Sequence, residues 1–393
     1  MKYLSLLLLN FILLYPSLTL ASLLVPSPPP IAARAYILQD FYSGKVLMEK
    51  KADERLEPAS LTKLMTAYLV FQKLKIGKIK LTDPVKISQK AWKMGGSRMY
   101  LDPGTFVPVD LLLKGMIIQS GNDASVALAE LIGGTEQAFA TLMNEQAQRL
   151  GLKNTHYVNS TGLPDEQHYS TARDSATIAQ ALIYDFPSYY RWYSGSEFTY
   201  NNITQTNRNR LLRRKPPLKG MKVDGMKTGY TDAAGYCLVA SAIRKNMRLI
   251  SVVLGTKNEK ARTEVSERML DYGFRFFRTY PLYKALQPLD IQRVWYGNTT
   301  QLPLGLSRPL YITVPKGQYG QLNATAHIDK YIMAPVMAGK SYGSLKIRLG
   351  NQIILERPLV ALSSIDKGPF WKKLIDSFLK FFINLTISQQ HPK

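Results

Sequence analysis

Cysteine and histidine, the side chains that form disulfides and most often bind metals, are scarce in this sequence. Cys237 is the only cysteine, so no disulfide can form within the chain and the fold must rest on its core. Because Cys237 lies in the apolar run Tyr236-Cys237-Leu238-Val239-Ala240, we expect a buried structural thiol. The four histidines, which form no His-x-x-x-His or His-Glu pair, are His156, His168, His327 and His391. This pattern argues against a metal-dependent peptidase, and we expect neither a metal nor another cofactor.

Acidic residues are also few relative to basic ones. The 393-residue chain has 28 Asp and Glu against 51 Lys and Arg, which gives a formal net charge of +23. Such an excess predicts an anionic partner: nucleic acid, an acidic membrane surface or an acidic polymer. The apolar fraction of 46% is ordinary for a globular protein, and the length allows two or three domains.

The N-terminus narrows the choice of partner. The short basic segment Met1-Lys2-Tyr3 precedes a largely apolar run from Leu4 to Leu20, and Thr19-Leu20-Ala21 fits a signal-peptidase site. We therefore predict a signal peptide over residues 1–21, with an uncleaved membrane anchor as the alternative. Export across the inner membrane argues against nucleic acid as a partner.

Local patterns divide the mature chain into further parts. After a Pro-rich spacer over residues 22–34, strand and helix patterns predict an α/β domain over residues 35–285. Because strands lie near both ends of this domain with helices between, we expect its termini to share one sheet. Short β-type runs broken by Gly and Pro then predict an all-β domain over residues 286–366. The predicted elements of the first domain are a hairpin at Ala35–Leu38 and Lys45–Glu49, helices near Ser60–Phe71, Val109–Gln119, Ala124–Leu131, Glu136–Leu150, Thr171–Leu182 and Arg262–Phe277, and strands at Gly235–Ile243 and Leu249–Leu254.

The last segment, residues 367–388, has the pattern of an amphipathic helix. It is too short and too charged to span a bilayer, but it suits the membrane interface, with basic residues toward anionic headgroups. The alternative is a helix packed on the β domain. The predicted apolar face comprises Trp371, Leu374, Ile375, Phe378, Phe381, Phe382 and Leu385, and the polar face comprises Lys372, Lys373, Asp376, Lys380 and Asn384.

Three short motifs occur in a fixed order along the first domain. They are Ser60-Leu61-Thr62-Lys63, Ser120-Gly121-Asn122 and Lys227-Thr228-Gly229. The Ser-x-x-Lys spacing also occurs at Ser364–Lys367 and Ser377–Lys380, but only the copy at Ser60 is followed by the other two motifs. This order is typical of serine acyl-transfer enzymes that work without histidine.

The first motif supplies a nucleophile and a base. If Ser60 begins a helix, Lys63 lies one turn later, within reach of the Ser60 hydroxyl. A neutral lysine can take the serine proton, but the usual lysine pKa of ~10.4 must then fall by roughly 2–3. Burial and a second cation both lower it, and Lys227 is the cation that we expect. Taken alone, the pair would instead suggest a helix cap followed by a solvated lysine.

The other two motifs supply a proton path and a substrate-binding edge. Ser120 can pass a proton to the leaving nitrogen, while Asn122 can hold a substrate carbonyl and Lys63; alone, this motif would suggest a plain turn. Gly229 allows a peptide to approach as an added strand, so that Lys227 and Thr228 meet its terminal carboxylate. The backbone N–H groups of Ser60 and Tyr230 are candidates for the oxyanion hole.

With these motifs the sequence resembles the low-molecular-mass penicillin-binding proteins, serine D-alanyl-D-alanine carboxypeptidases of the membrane-anchored type 5/6 group. The resemblance extends from about Ala35 to the amphipathic tail. It is carried by the segments 57–66, 119–124, 161–164, 168–174 and 224–236. It implies that residues 35–285 have a β-lactamase/transpeptidase-like α/β (α+β) fold, with a sheet flanked by a helical subdomain.

The resemblance also implies a substrate, an inhibitor and a location. The enzyme would remove the terminal D-alanine of peptidoglycan pentapeptide stems through an acyl-enzyme on Ser60, and β-lactams would acylate the same serine. Arg262 and Arg208 would lie on the carboxylate side of the cleft, and Tyr230 stands where some members carry histidine. The enzyme would act in wall maturation and cell shape at the periplasmic face of the bacterial inner membrane, where the C-terminal helix anchors it.

Several alternatives stay open. Class A β-lactamases carry a Glu-x-x-Leu-Asn string between the second and third motifs, and this chain has none; Glu166 lies in a different context. A D,D-endopeptidase would differ only in what the cleft admits, and an inactive wall-binding module would need no intact Ser60 or Lys63. The acid-free stretch from Arg208 to Lys222 is either a solvated loop or a surface that attracts the acidic stem or the membrane.

Overall fold

The computed structural model describes residues 25–213 and 220–389. The predicted signal peptide, the start of the predicted spacer and residues 214–219 of the basic stretch lie outside these ranges. The described part of the spacer lies against the first domain, because Ile31 is buried and the Tyr272 hydroxyl donates to the Pro26 carbonyl at 3.0 Å. This segment therefore runs along the protein surface.

A five-stranded sheet forms the centre of the first domain. The strands of this domain are β1 (Ala35–Asp40), β2 (Val46–Lys50), β3 (Pro84–Lys86), β4 (Phe106–Pro108), β5 (Glu197–Tyr200), β6 (Ile203–Thr206), β7 (Lys222–Thr231), β8 (Gly235–Arg244) and β9 (Met247–Thr256). The central sheet has the order β2-β1-β9-β8-β7, and every neighbouring pair is antiparallel. Because Ala35 pairs with Leu254, strands from both ends of the domain share one sheet, as predicted. β7, which carries the third motif, forms an edge of the sheet.

Helices cover both faces of this sheet, so the predicted α/β fold with a flanking helical subdomain is confirmed. The helices are α1 (Lys63–Lys75), α2 (Gln89–Lys93), α3 (Val109–Lys114), α4 (Asn122–Gly133), α5 (Glu136–Arg149), α6 (Ala172–Asp185), α7 (Pro187–Tyr190) and α8 (Glu259–Phe276). Alternate residues of β8 serve opposite faces, since Cys237 and Val239 pack with α1, α4 and α6 while Leu238 and Ala240 pack with α8. The thiol of Cys237 is thus buried, as predicted, and burial raises its pKa to about 11.

α1 is the central helix of the helical subdomain. Its predicted core residues Leu64, Ala67, Tyr68 and Phe71 are buried, but so are residues on its other sides. A helix that is apolar all round belongs in a protein interior. The first turn of α1 therefore places Lys63 in the protein interior, where its side chain is shielded from water.

The second domain is all-β, as predicted. Its strands are β10 (Phe277–Tyr283), β11 (Pro288–Trp295), β12 (Gln301–Gly305), β13 (Leu310–Pro315), β14 (Leu322–Ile328), β15 (Ile332–Met333), β16 (Ser341–Leu349) and β17 (Gln352–Ala361). Six of them form one sheet in the order β14-β16-β17-β12-β11-β15, and β10 pairs separately with β13. β10 lies before the boundary predicted at residue 285. Because it follows α8 without a break, the change of composition after Pro281 comes too late to mark it.

The C-terminal helix α9 (Phe370–Gln389) contacts the β domain through its polar face. Asp376 is 2% exposed and accepts hydrogen bonds from Arg293 (2.9 Å) and the Tyr296 backbone N–H (2.7 Å). Lys372 donates to the Asn298 carbonyl at 2.8 Å. The basic face that we expected toward headgroups is thus partly turned to the protein, because Asp376 lies on it and draws Arg293.

The apolar face of α9 points away from the β domain. Its described members are all exposed, and they are Trp371, Leu374, Ile375, Phe378 and Phe381. The side chains of Phe382, Asn384 and Leu385 lie outside the described part. Within residues 25–213 and 220–389, a helix with the length and hydropathy needed to cross a bilayer is not found. The helix thus packs on the β domain, which was the alternative for this segment, while its place at a membrane interface stays a prediction.

Candidate active site

Ser60 and Lys63 meet where a short 3-10 helix (Ala59–Thr62) leads into α1. The Lys63 Nζ lies 3.0 Å from the Ser60 Oγ, 2.7 Å from the Asn122 Oδ1 and 2.7 Å from the Thr161 carbonyl oxygen. Lys63 is 1% exposed, so these three neutral oxygens take the place of water around its amine. The structure thus places the nucleophile and base candidates in direct contact.

Burial is the main cause that lowers the pKa of Lys63 to about 7. The charge of Arg208 adds to the shift, whereas Asp123 and Glu136 oppose it. We expected Lys227 to be the second cation, and Lys63 and Lys227 do repel each other, because the charge of Lys63 lowers the pKa of Lys227. Arg208 is a further cation near Lys63, and sequence reasoning had not linked it to this lysine. A substantial fraction of the Lys63 amine is therefore neutral near pH 7, as its role as a base requires.

The second motif lies at an irregular helix junction. Gly115–Gln119 continues α3 as a π-helix, and Ser120 follows in a left-handed conformation with φ 70°. This turn directs the Ser120 hydroxyl into the site, where it accepts a hydrogen bond from the Lys227 Nζ at 2.9 Å. Asn122 begins α4 and donates its amide to the Gly95 carbonyl at 2.7 Å, so its Oδ1 faces Lys63.

Lys227 brings the third motif against the second. It is 2% exposed, and besides Ser120 it donates to the Thr228 carbonyl at 3.0 Å. Burial lowers the pKa of Lys227 as well, and the charges of Lys63, Arg208 and Arg262 add to that effect. The site therefore concentrates positive charge that an anionic substrate group would offset.

Gly229 is needed for the approach of β7 to the nucleophile. A Cβ on Gly229 would lie 3.1 Å from the Ala59 Cβ and 3.2 Å from the Ser60 backbone nitrogen. We expected this glycine to admit the substrate backbone. The structure shows that it also lets β7 pack directly against the turn of Ser60.

A cleft of about 360 Å³ opens above these residues. The predicted site residues that line it are Ser60, Ser120, Asn122, Thr228, Gly229, Tyr230, Arg208 and Arg262. Lys63 and Lys227 lie beneath it, in contact with Ser60 and Ser120. All ten residues singled out from the sequence therefore belong to one site.

The two arginines are held differently. Arg262, in α8, is 3% exposed and donates to the Gly229 carbonyl at 3.2 Å, with Glu259 at 3.5 Å. Burial lowers its pKa. Arg208 is exposed at the rim of the cleft. Arg262 is thus held against a carbonyl of β7, while Arg208 is open to a ligand.

Tyr230 is turned toward solvent. Its side chain is 49% exposed, and its hydroxyl donates to the Asp232 Oδ1 at 2.6 Å. This hydrogen bond is the main cause that raises the pKa of Tyr230 to about 12. The hydroxyl therefore stays neutral over the physiological range.

Sequence reasoning missed the residues that position this site. Asp123 accepts hydrogen bonds from the backbone N–H groups of residues 99, 100, 101 and 124, which fixes the loop beside the cleft. Gly162 has φ +83°, and a Cβ there would collide with the Ala59 carbonyl, so it places the Thr161 carbonyl on Lys63. The glycine was visible in the sequence, in the segment 161–164, but its positive φ was not predicted.

His168 is hydrogen-bonded to Thr62 of the first motif. The Val158 backbone N–H donates to its Nδ1 at 3.2 Å, so its Nε2–H donates to the Thr62 Oγ1 at 2.8 Å. Burial lowers the pKa of His168 to about 4, which keeps the ring neutral. The described residues contain no group of three or more His, Cys, Asp and Glu that could hold a metal ion.

Both domains match known protein families. Residues 23–258 match the family model described as D-alanyl-D-alanine carboxypeptidase, and residues 277–367 match that of the penicillin-binding protein 5 C-terminal domain. The chain is 43% identical over 379 residues to D-alanyl-D-alanine carboxypeptidase DacC of Escherichia coli (strain K12), covering 95% of this chain and 94% of the relative.

Solved structures agree with this match. Penicillin-binding protein 5 from Haemophilus influenzae is 42% identical with a TM-score of 0.83, and the alignment covers 87% of this chain and all of that chain. Penicillin-binding protein D2 from Listeria monocytogenes, in its ampicillin-bound form, is 29% identical with a TM-score of 0.57. That alignment covers 63% of this chain and all of the Listeria chain.

Proposed function

The chain belongs to the D-alanyl-D-alanine carboxypeptidase family, and we propose that it removes the terminal D-alanine of peptidoglycan pentapeptide stems through an acyl-enzyme on Ser60. The observation that carries the assignment to Ser60 is its contact with Lys63 at 3.0 Å, where the pKa of Lys63 is about 7. A base with a pKa near the working pH combines a sufficient neutral fraction with a sufficient affinity for the proton.

Acylation uses the neutral Lys63 amine. The Ser60 Oγ bonds to the carbonyl carbon of the penultimate D-alanine while its proton moves to the Lys63 Nζ. The backbone N–H groups of Ser60 and Tyr230 stabilise the charge that develops on the carbonyl oxygen. Ser120, which accepts a hydrogen bond from Lys227, then gives its hydroxyl proton to the nitrogen of the terminal D-alanine and recovers a proton from Lys63 once the substrate is bound. The C–N bond breaks and D-alanine leaves. Attack by water, with Lys63 as base, hydrolyses the ester and restores the Ser60 hydroxyl.

The cations of the cleft hold the terminal carboxylate of the substrate. Arg208 is open to a ligand, Thr228 lines the cleft, and Lys227 lies just beneath it. The edge of β7 gives the peptide backbone a strand to pair with. Because a carboxylate supplies the counter-charge that these groups lack, the charge of the site favours a substrate with a free carboxylate next to the scissile bond.

A variant of Ser60 tests this function. Ser60→Ala is expected to abolish both D-alanine release from a diacyl-D-Ala-D-Ala tripeptide and covalent labelling by fluorescent penicillin. The matched control is Ser377→Ala, which alters a Ser-x-x-Lys string in α9 and is expected to keep both activities. Labelling that persists in Ser60→Ala would overturn the assignment. D-alanine release compared with cross-link cleavage on isolated muropeptides separates carboxypeptidase from endopeptidase.

We further propose that residues 1–21 direct export and that α9 then holds the enzyme at the periplasmic face of the inner membrane. The outward apolar face of α9 supports this, because large aromatic side chains there favour the membrane interface. Deletion of the residues after Gly368 is expected to release an active enzyme into the soluble fraction. If the truncated enzyme stays with the membranes, α9 is not the anchor.

A further inference from the structure

A second cavity, of about 420 Å³, lies where the two domains meet. Four cationic side chains from three places in the chain line it. Arg244 ends β8 and Lys245 follows it in the turn to β9, Arg278 comes from β10, and Lys316 from the segment after β13. The cavity is remote from the catalytic cleft, because β8 runs from Tyr236 at the cleft to Arg244 here, about 26 Å at the usual rise of a strand.

The positive charge of this cavity is not balanced by the protein. No acidic residue lines it, and none of the four cations forms an ion pair within residues 25–213 and 220–389. By contrast Arg248, on the neighbouring strand, pairs with Asp224 at 2.8 Å. The chain therefore neutralises one arginine of this region and leaves four cations together.

Lys316 lines the cavity together with the other three cations. Its Nζ donates to the Phe274 carbonyl at 2.9 Å, which holds the amine in place. Burial lowers the pKa of Lys316, and the charges of Arg244, Arg278 and Lys245 lower it further. Cations that repel one another in a cavity are relieved by a bound anion.

We propose that this cavity binds a ligand with two or more phosphate charges, such as a diphosphate group. Guanidinium groups match phosphate oxygens with paired hydrogen bonds, and Arg244 and Arg278 supply two of them. A single carboxylate would leave most of the charge unbalanced. Buried Met247, Phe274 and Phe277 form an apolar floor, which suits an uncharged portion next to the phosphates. The volume is that of a small-ligand site.

Calorimetric titration of the full chain with pyrophosphate and orthophosphate at low salt tests the site. Pyrophosphate is expected to bind more tightly, with an affinity that falls as salt is added. The double variant Lys245→Gln/Arg278→Gln is expected to weaken pyrophosphate binding about tenfold or more, because each lost charge-assisted contact weakens the complex. D-alanine release is expected to be unchanged, since neither residue lines the catalytic cleft.

The control variant Lys78→Gln/Lys93→Gln removes the same charge from exposed positions elsewhere and is expected to bind pyrophosphate normally. A water-soluble phosphatidate with two six-carbon chains separates the two sources of phosphate. Tighter binding of this lipid, lost in the cavity variant, identifies a lipid headgroup, and preference for pyrophosphate identifies a soluble ligand. The proposal is overturned if neither probe binds, or if the control variant loses as much affinity as the cavity variant.

Discussion

Lys63 in α1 and Asp376 in α9 are both ionisable side chains that a helix buries, at 1% and 2% exposed. Their partners differ. The Lys63 amine contacts three neutral oxygens, whereas the Asp376 carboxylate accepts from the Arg293 guanidinium and a backbone N–H. A buried charge without a counter-charge is pushed toward its neutral form, while a counter-charge offsets the cost of burial. The surroundings of Lys63 therefore suit a base, whereas the ion pair of Asp376 holds α9 on the β domain.

The largest expected effect comes from replacing Lys63 by a cation that cannot lose its proton. Because arginine stays protonated at any working pH, Lys63→Arg keeps the charge but removes the base. The rate of penicillin acylation is expected to fall about 10³-fold, as in the loss of a general base. Lys63→Met should fall equally, and thermal unfolding should show that both variants are folded. Retention of more than a tenth of the rate in Lys63→Arg would show that the charge, rather than the neutral amine, matters.

The pH dependence of acylation tests the role of the neutral Lys63 amine without a substitution. Burial lowers the pKa of Lys63 to about 7, so the amine gains a proton as the pH falls through 7 and is neutral above it. The acylation rate is therefore expected to rise with pH up to about 7 and then level off, falling about tenfold per pH unit below it. Acylation by penicillin, followed from pH 5 to 9, measures this. A rate that still rises tenfold per pH unit between pH 8 and 9 would mean that Lys63 keeps an ordinary lysine pKa.

Asp376→Asn removes the negative charge that pairs with Arg293. Arg293 then loses its ionised partner, and the contact of α9 with the β domain is expected to weaken by about 1–3 kcal/mol. Limited proteolysis after residue 368 should speed up about tenfold or more, while D-alanine release stays unchanged. Asp329→Asn, at an exposed acid of the same domain, serves as the control. Equal proteolysis of both variants would mean that Asp376 does not hold the helix.

The comparison also shows what the sequence can predict. The contact of Ser60 with Lys63 follows from their spacing of three residues in a helical conformation, and the shared sheet follows from strand patterns at both ends of the domain. The effect of Arg208 on Lys63 could not be predicted, because the position of Arg208 depends on a loop far along the chain. A helical wheel sorts residues by polarity, so it could not show that Asp376 meets Arg293. Long-range partners are decided by packing, which local patterns do not record.

Tyr230 is exposed, unlike Lys63 and Asp376. We therefore expect its substitution to have the smallest effect of those considered. Its hydrogen bond to Asp232 raises the pKa of the hydroxyl to about 12, so the group stays neutral from pH 6 to 10. Tyr230→Phe is therefore expected to change kcat/KM for D-alanine release by less than about threefold and to keep the pH profile, since exposed polar groups contribute little. Tyr230→His introduces a group with a usual pKa of about 6.5 and should alter the profile near that pH. A loss above tenfold in Tyr230→Phe would show that the hydroxyl leaves Asp232 to contact the substrate.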